Sequence, residues 1–248
     1  EELATIDVLY DLAFPIMDLW RAGLPALGNA LFNRYLDRAD ESEGLSLMPL
    51  FIAMRALIRA HVAASMAEDK PELKDEARSY FKLAQRAIEP CAPKLYAIGG
   101  LSGSGKSTCA AALAPLIHPI PGARILSSDR IRKALFGLPA TTRLPPDAYT
   151  SDISARVYAL MRGYAGACLD SGWPVIVDAV FDRREDRAAI QAVADERGLR
   201  FSAFWLQAPM DILQKRVAAR TNDPSDADLA VLAAQAEKLK QAAPAPFQ

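Results

Sequence analysis

Residues 100–107 read GLSGSGKS, between an apolar run (LYAI) and an alanine-rich one (CAAALAPL). Glycines at 100, 103 and 105 permit positive φ and a close approach of backbone to an anion. Successive N–H groups then point into one concavity, and a following helix adds its positive end. The spacing G-x-x-x-x-G-K-S lets a lysine bridge β- and γ-phosphates and a serine hydroxyl reach Mg²⁺. The phosphate-binding set is therefore Gly100, Ser102, Gly103, Ser104, Gly105, Lys106, Ser107 and Thr108, with Lys106 also counted as catalytic and Ser107 as a metal ligand. A flexible Gly/Ser loop matches the pattern by chance now and then. Here a strand before it and a helix after it supply the required context.

Other residues bear on what receives the phosphate. Asp129 closes the apolar stretch ARILSSD, and Arg132 lies three positions on, sharing a face with it if a helix begins there. A carboxylate beside a metal-bound phosphate takes a proton from a substrate hydroxyl, and an arginine holds substrate or γ-phosphate. The plainer alternative is an N-cap aspartate with a solvated arginine. Asp178 ends VIVD, where an acid at the carboxyl end of a buried strand is placed to hold Mg²⁺. Arg216 and Arg220, four apart on one helix face, can close over phosphates as cations. Ser225 and Asp228 read as a capping box, a structural role. Arg183, Arg184 and Arg187 read as a solvated helix start, with Arg187 the best site candidate of the three.

Two kinds of element must position these groups. Before residue 94 there is no strand signal. Helical spacing runs over 3–20, interrupted at Pro15 where a kink is expected, from Pro25 to about Asp37, over 46–66 with Leu50, Met54, Leu57, Ile58 and Val62 inward, and over 72–88. EPCAP at 89–93 is the natural linker. Beyond it, strands at 94–100, 123–129, 173–180 and 199–208 alternate with helices, the last two at 209–220 and about 226–241. Such alternation implies parallel pairing through right-handed crossovers. The expected organisation is a helical module over 1–92 and an α/β domain over 93–248.

Bulk properties exclude some classes. With 29 Lys/Arg against 30 Asp/Glu, no global field recruits nucleic acid or a membrane surface. Residues 1–92 carry ten Lys/Arg against fifteen Asp/Glu, and residues 93–248 nineteen against fifteen, a mild basic bias suited to a phosphorylated ligand. Three separated cysteines (Cys91, Cys109 and Cys168) argue for a reducing compartment, and His61 and His118 lack zinc spacing. No apolar run reads as long enough to span a bilayer, and the acidic N-terminus has no signal-peptide basic region. The absence of an initial Met suggests that residue 1 is not the natural start. The expectation is a cytoplasmic protein or a fragment of one, with no membrane partner.

GGLSGSGKST, SSDRIRKALFG, VIVDAVFDRREDR and RVAARTNDPSDAD, in that order, resemble the P-loop kinases grouped around polynucleotide kinase and gluconate kinase, over about residues 94–240. The resemblance implies a P-loop NTPase fold, with helices on both faces of a parallel sheet. It further implies an ATP-Mg²⁺ phosphotransferase acting on a small-molecule hydroxyl, with Asp129 as base and Arg216 and Arg220 in a mobile lid. IDVLYDLAFPIMDLWRAGLPALGNALFNRYL is similar to the C-terminal helices of aminoglycoside-phosphotransferase-like proteins. Residues 1–92 contain neither H-x-D-x-x-x-x-N nor D-F-G, so that module is expected not to catalyse phosphoryl transfer. Such kinases place a fifth strand after the lid, and QAAPAPFQ offers none.

Two other readings stand beside the small-molecule kinase. An ATPase or GTPase switch would act through a protein partner, although N-K-x-D and L-S-G-G-Q are absent. A nucleic-acid end kinase needs a basic groove with stacking aromatics, and LPATTRLPPDAYT offers one Arg and one Tyr.

Overall fold

The computed structural model of the chain describes residues 7–39, 41–220 and 223–241. The chain forms two compact units, one of residues 1–92, 112–124 and 170–174, the other of 93–111, 125–169 and 175–248. Two short stretches of the later sequence thus pack with the helical part.

In the first unit, α1 (Val8–Arg21), α2 (Pro25–Leu36), α3 (Met48–Met66) and α4 (Leu73–Ala87) form the bundle. α1 is capped by the Asp7 carboxylate, which accepts from Leu9 N–H at 2.8 Å, and it runs through Pro15. α2 starts with Pro25 in its first turn, where a missing N–H costs nothing. The sequence puts Leu50, Met54, Leu57, Ile58 and Val62 inward on α3, and the structure corrects this: all five are exposed. The buried face is Met48, Ile52, Ala53, Ala56, Ala60 and Ala63. This helix is apolar on nearly every side, so periodicity cannot choose a face. Small side chains choose it, because alanines let α1 and α4 approach closely. Ser42–Met66 is also, by length and composition, long and apolar enough to cross a membrane, which the sequence reading did not expect.

Arginines complete the seams of this bundle. Arg55 donates to Tyr10 O at 3.2 Å and Asp11 Oδ1 at 3.0 Å and lies 3.8 Å over the Tyr10 ring. Arg59 donates to Tyr80 Oη at 3.3 Å. The added stretches are held by buried polar groups. Asn29 donates to Pro121 O and Ala123 O at 2.9 and 3.1 Å, and Arg124 meets Asp37 at 2.8 Å. Trp173 packs its ring on Phe32 and donates to Gly122 O at 3.1 Å.

The second unit carries β1 (Lys94–Gly100), α5 (Lys106–Leu113), β2 (Arg124–Ser127), α6 (Ser128–Leu135), α7 (Ser151–Asp170), β3 (Val175–Asp178), α8 (Arg184–Asp195), β4 (Arg200–Leu206), α9 (Met210–Ala218) and α10 (Leu229–Gln241). The sheet order is β2-β3-β1-β4, and β1 pairs in parallel with both β3 and β4. This is the expected α/β class, a parallel sheet of P-loop NTPase type. Val175, Ile176 and Val177 are fully buried, which is why that strand reads as an unbroken apolar run. β2 is shorter than the apolar pattern suggests: it stops at Ser127, and Asp129 falls in the first turn of α6. Four strands make up the sheet among the described residues, and 242–248, most of QAAPAPFQ, lie outside them.

The α3 correction has a direct check in urea unfolding of the chain. Ala56→Leu should cost about 1–3 kcal/mol by overpacking. Leu57→Ser should shift stability by less than about 0.5 kcal/mol. A larger loss at Leu57 would mean that the bulky face is the packed one.

Candidate active site

The register of the sheet builds the site. Ile98 of β1 lies opposite Asp178 of β3, so the loop leaving β1 emerges beside that carboxylate. Ala179 N–H donates to Ile98 O and Gly100 N–H to Val180 O, each at 3.3 Å, which ties the two strand ends together. Ligands of open parallel sheets bind in such crevices.

The loop takes the conformation its glycines permit. Gly100 has φ of 140°, and a Cβ there would lie 2.5 Å from Leu206 O. Gly105 has φ of 93°, with open space where its Cβ would be. Any other residue at either position would be strained. Ser102 and Ser104 are buried. Ser104 Oγ is buried with no hydrogen-bond partner among the described residues. Thr108 is exposed in the first turn of α5. Lys106 Nζ donates to Leu101 O at 3.1 Å. Burial pushes this ammonium below the usual lysine range, while Asp178 and Asp129 pull it back up.

Ser107 Oγ donates to Asp178 Oδ2 at 2.6 Å. Burial pushes Asp178 above the usual carboxylate range, against the opposing pull of Lys106 and the Ser107 hydroxyl. A hydroxyl and a carboxylate at this spacing are both hard oxygen donors. They fit Mg²⁺, which takes one or two protein oxygens and completes its shell with water and phosphate.

Asp129 sits beyond this pair. Burial raises its carboxyl, and the Ser225 hydroxyl, Lys106, Arg132 and Arg220 lower it. Arg132 is buried and does not float free. It donates to Ala148 O at 2.8 Å and Ser154 Oγ at 3.3 Å, and lies 4.8 Å over the Tyr149 ring. It therefore braces the loop between α6 and α7. Arg216 of α9 donates to Gly103 O at 3.3 Å. Arg220 follows α9, lies 3.9 Å from Asp223, and leaves Nη1 buried without a hydrogen-bond partner among the described residues. Its charge acts on both Lys106 and Asp129. An orphaned serine hydroxyl and an orphaned guanidinium nitrogen beside a glycine loop are donors suited to phosphate oxygens.

Some residues here escape a motif reading. Gln235 of α10 accepts from Ser102 N–H at 3.0 Å, so the last helix touches the loop itself. Leu232 anchors that helix on Leu213, Val217 and Leu101. The capping-box reading of Ser225 is corrected: α10 starts at Leu229, and Asp228 caps it through Val231 N–H at 2.9 Å. Ser225 instead serves Asp129. Arg187 is buried and donates to Phe181 O at 2.7 Å, supporting a non-glycine residue at φ of 53° just past Asp178. Phe181 N–H in turn donates to Tyr158 Oη at 3.2 Å. Polar residues spaced along the stretch after α9 and along α10 were the available signal, without a motif to rank them.

Residues 95–242 match the family described as the AAA domain. The uncharacterized protein Rv2004c of Mycobacterium tuberculosis and the uncharacterized protein Mb2027c of Mycobacterium bovis are each 30% identical over 243 residues, 96% of this chain and 48% of theirs. The chain spans about half the length of the curated relatives it matches. Among solved structures it is similar to the Mycobacterium tuberculosis APS kinase CysC in complex with AMPPNP and APS, at 25% identity and TM-score 0.42, over 52% of this chain and 71% of that one. It is also similar to a gluconokinase from Sinorhizobium meliloti 1021, at 25% identity and TM-score 0.41, over 60% and 77%. A third is the Deinococcus radiodurans tunicamycin resistance protein, at 21% identity and TM-score 0.42, over 64% and 84%.

Ser107→Ala should cost about 1–3 kcal/mol at neutral pH, because it strips a donor from a buried carboxylate. The donor favours ionised Asp178, so its loss raises that carboxyl further. The deficit should therefore shrink as pH falls and Asp178 takes up a proton. Thermal unfolding at neutral and acid pH measures both. A deficit that does not change with pH would separate the hydroxyl from the charge state of Asp178.

Proposed function

We propose that this chain, which belongs to the AAA domain family through residues 95–242, is an ATP-Mg²⁺-dependent phosphotransferase that moves a γ-phosphate onto a hydroxyl of a small molecule. One observation carries the reading. A half-buried carboxylate, Asp129, stands among Lys106, Arg132 and Arg220 beside the phosphate loop and already accepts a hydrogen bond from the Ser225 side chain. A protein that only bound nucleotide would not need a base there.

In this reading the loop N–H groups and Lys106 hold the phosphates, joined by Arg216 and Arg220 from the lid side. Ser107 and Asp178 would hold Mg²⁺, which supplies charge neutralisation across the β- and γ-phosphates. Asp129 receives the proton of the acceptor hydroxyl as that oxygen bonds to the γ-phosphorus, the bond to the β–γ bridging oxygen breaks and ADP leaves. A carboxyl raised by burial is better matched to that task than an ordinary one. Arg132 keeps the loop between α6 and α7 shaped for the acceptor. The helices of residues 1–92, which lack a kinase catalytic loop, take no part in transfer.

A second reading, a nucleotide-responsive ATPase switch with a protein partner, draws on the Gln235 contact. It gives a helix a direct bond to the phosphate loop, so nucleotide binding could be reported outward.

Lys106→Ala should abolish ATP-Mg²⁺ binding or turnover, measured against a panel of sugars, aminoglycosides and nucleosides. Turnover that rises with one acceptor class supports the kinase and identifies its substrate class. Flat hydrolysis supports the switch. Asp129→Asn should keep nucleotide binding and lose transfer by at least about a hundred-fold. The acid limb of kcat/KM should lie above the ordinary carboxylate range, because burial raises Asp129. Transfer surviving in Asp129→Asn would reduce that residue to an acid in the first turn of α6 that favours the positive end of the helix.

A further inference from the structure

One carboxylate gathers three segments of the second unit. Asp226 lies in the stretch 223–228 between α9 and α10. Its Oδ1 accepts from Lys133 Nζ at 2.8 Å, and its Oδ2 accepts from Leu144 N–H at 2.9 Å and Tyr149 Oη–H at 2.6 Å. Lys133 is on α6, one turn past Asp129, and its side chain is 1% exposed against 8% for Asp226. Leu144 and Tyr149 belong to the loop between α6 and α7, the loop that Arg132 also braces. The neighbour of Asp226, Ser225, hydrogen-bonds Asp129 and is itself held by Asp223 Oδ1, which accepts from Ser225 N–H at 2.8 Å.

A buried ion pair is a poor way to gain stability, since apolar residues of the same volume do as well or better. What a carboxylate with three directional donors adds is register: it fixes where the lid's return segment crosses the loop. We propose that Asp226 is a positioning residue for phosphoryl transfer, pinning that segment to α6 and to the loop 138–150, so that Ser225 orients the Asp129 carboxylate. A carboxylate has two oxygens and several acceptor sites. One oxygen taken by Ser225 leaves the other aimed at the incoming hydroxyl. This proposal rests on the reading of Asp129 as the base.

The loop that holds the nucleotide makes none of these bonds, so losing the latch should spare nucleotide binding and slow the chemical step. Asp226→Asn alone strands the buried Lys133 charge. The double variant Lys133→Met/Asp226→Asn therefore carries the test, with Tyr149→Phe and Ser225→Ala beside it. The probe is ATP-Mg²⁺ turnover by the full chain with water alone and with each member of a panel of sugars, aminoglycosides and nucleosides, followed from acid to neutral pH, each variant first shown to unfold cooperatively. The expected result for the double variant and for Ser225→Ala is a fall in kcat of about ten-fold or more, with KM for ATP within about two-fold. The acid limb should also rise, because the Ser225 donor no longer favours ionised Asp129. Tyr149→Phe should move kcat and the acid limb the same way by less. Lys106, Arg132 and Arg220, and the Asp178, Tyr149 and Tyr158 groups that also sense Asp129, stay in place in Ser225→Ala.

Normal kcat and acid limb in both the double variant and Ser225→Ala, with Asp129→Asn inactive, would overturn the proposal and leave the kinase reading intact. A kcat loss in the double variant with an unmoved acid limb would also overturn it, as general loosening. Turnover that is absent in the unmodified chain with water and with every member of the panel, or that Asp129→Asn leaves unaffected, would instead bring down the parent reading and the proposal with it.

Discussion

One buried and one half-buried carboxylate, Asp178 and Asp129, meet the half-buried Lys106 ammonium beside the carboxyl ends of β1 and β3. Burial penalises each charge: it raises Asp129 and Asp178 and lowers Lys106. Each is partly restored by the others, since Lys106 stabilises both carboxylates and they stabilise it. This mutual dependence constrains the backbone. The glycine loop has to bring Lys106 back to donate to its own Leu101 O, the register of β1 and β3 has to set Asp178 beside the loop, and α6 has to begin at Ser128 to present Asp129. An anion with a divalent cation is the kind of ligand that relieves such a cluster, because it adds one partner of each sign.

Around this cluster the polar network is directional. Arg132, Lys133 and Asp226 are engaged with backbone or side-chain partners of the α6–α7 loop and the stretch 223–228. Arg220 Nη1 and Ser104 Oγ are not so engaged. Arg132 Nε is likewise buried without a hydrogen-bond partner among the described residues, so the unspent donors are Ser104 Oγ, Arg132 Nε and Arg220 Nη1, with those of Trp20 and His118 away from the site. The contact of Gln235 with Ser102 N–H adds α10 to the elements that sense the loop. The stretch 223–228 is thus bonded to α6 and to the loop 138–150, and α10 to the glycine loop.

The helical unit obeys a different constraint. α3 has little polarity to orient it, and its alanines rather than its large aliphatic residues face α1 and α4. Close helix approach and the arginine contacts to Tyr10 and Tyr80 outweigh the area that burying Leu57 or Ile58 would have removed from water. The exposed aliphatic row follows from that choice.

The phosphate loop was legible because its chemistry is local: glycine spacing, a lysine and a serine within eight residues dictate one backbone shape. The parallel α/β class was legible because strand and helix periods alternate in the sequence and each is a short-range property. The α3 face was not, because a helix apolar on all sides carries no periodic signal and only its neighbours choose. Nor were the partners of Asp226, Ser225 and Gln235. Asp226 joins residues 77 to 93 positions away, and Gln235 reaches a loop 133 positions away. Sequence alone determined which residues could bind phosphate. The tertiary structure decided which of the remaining polar residues stand beside them, because burial and hydrogen-bond geometry exist only once distant segments are packed together.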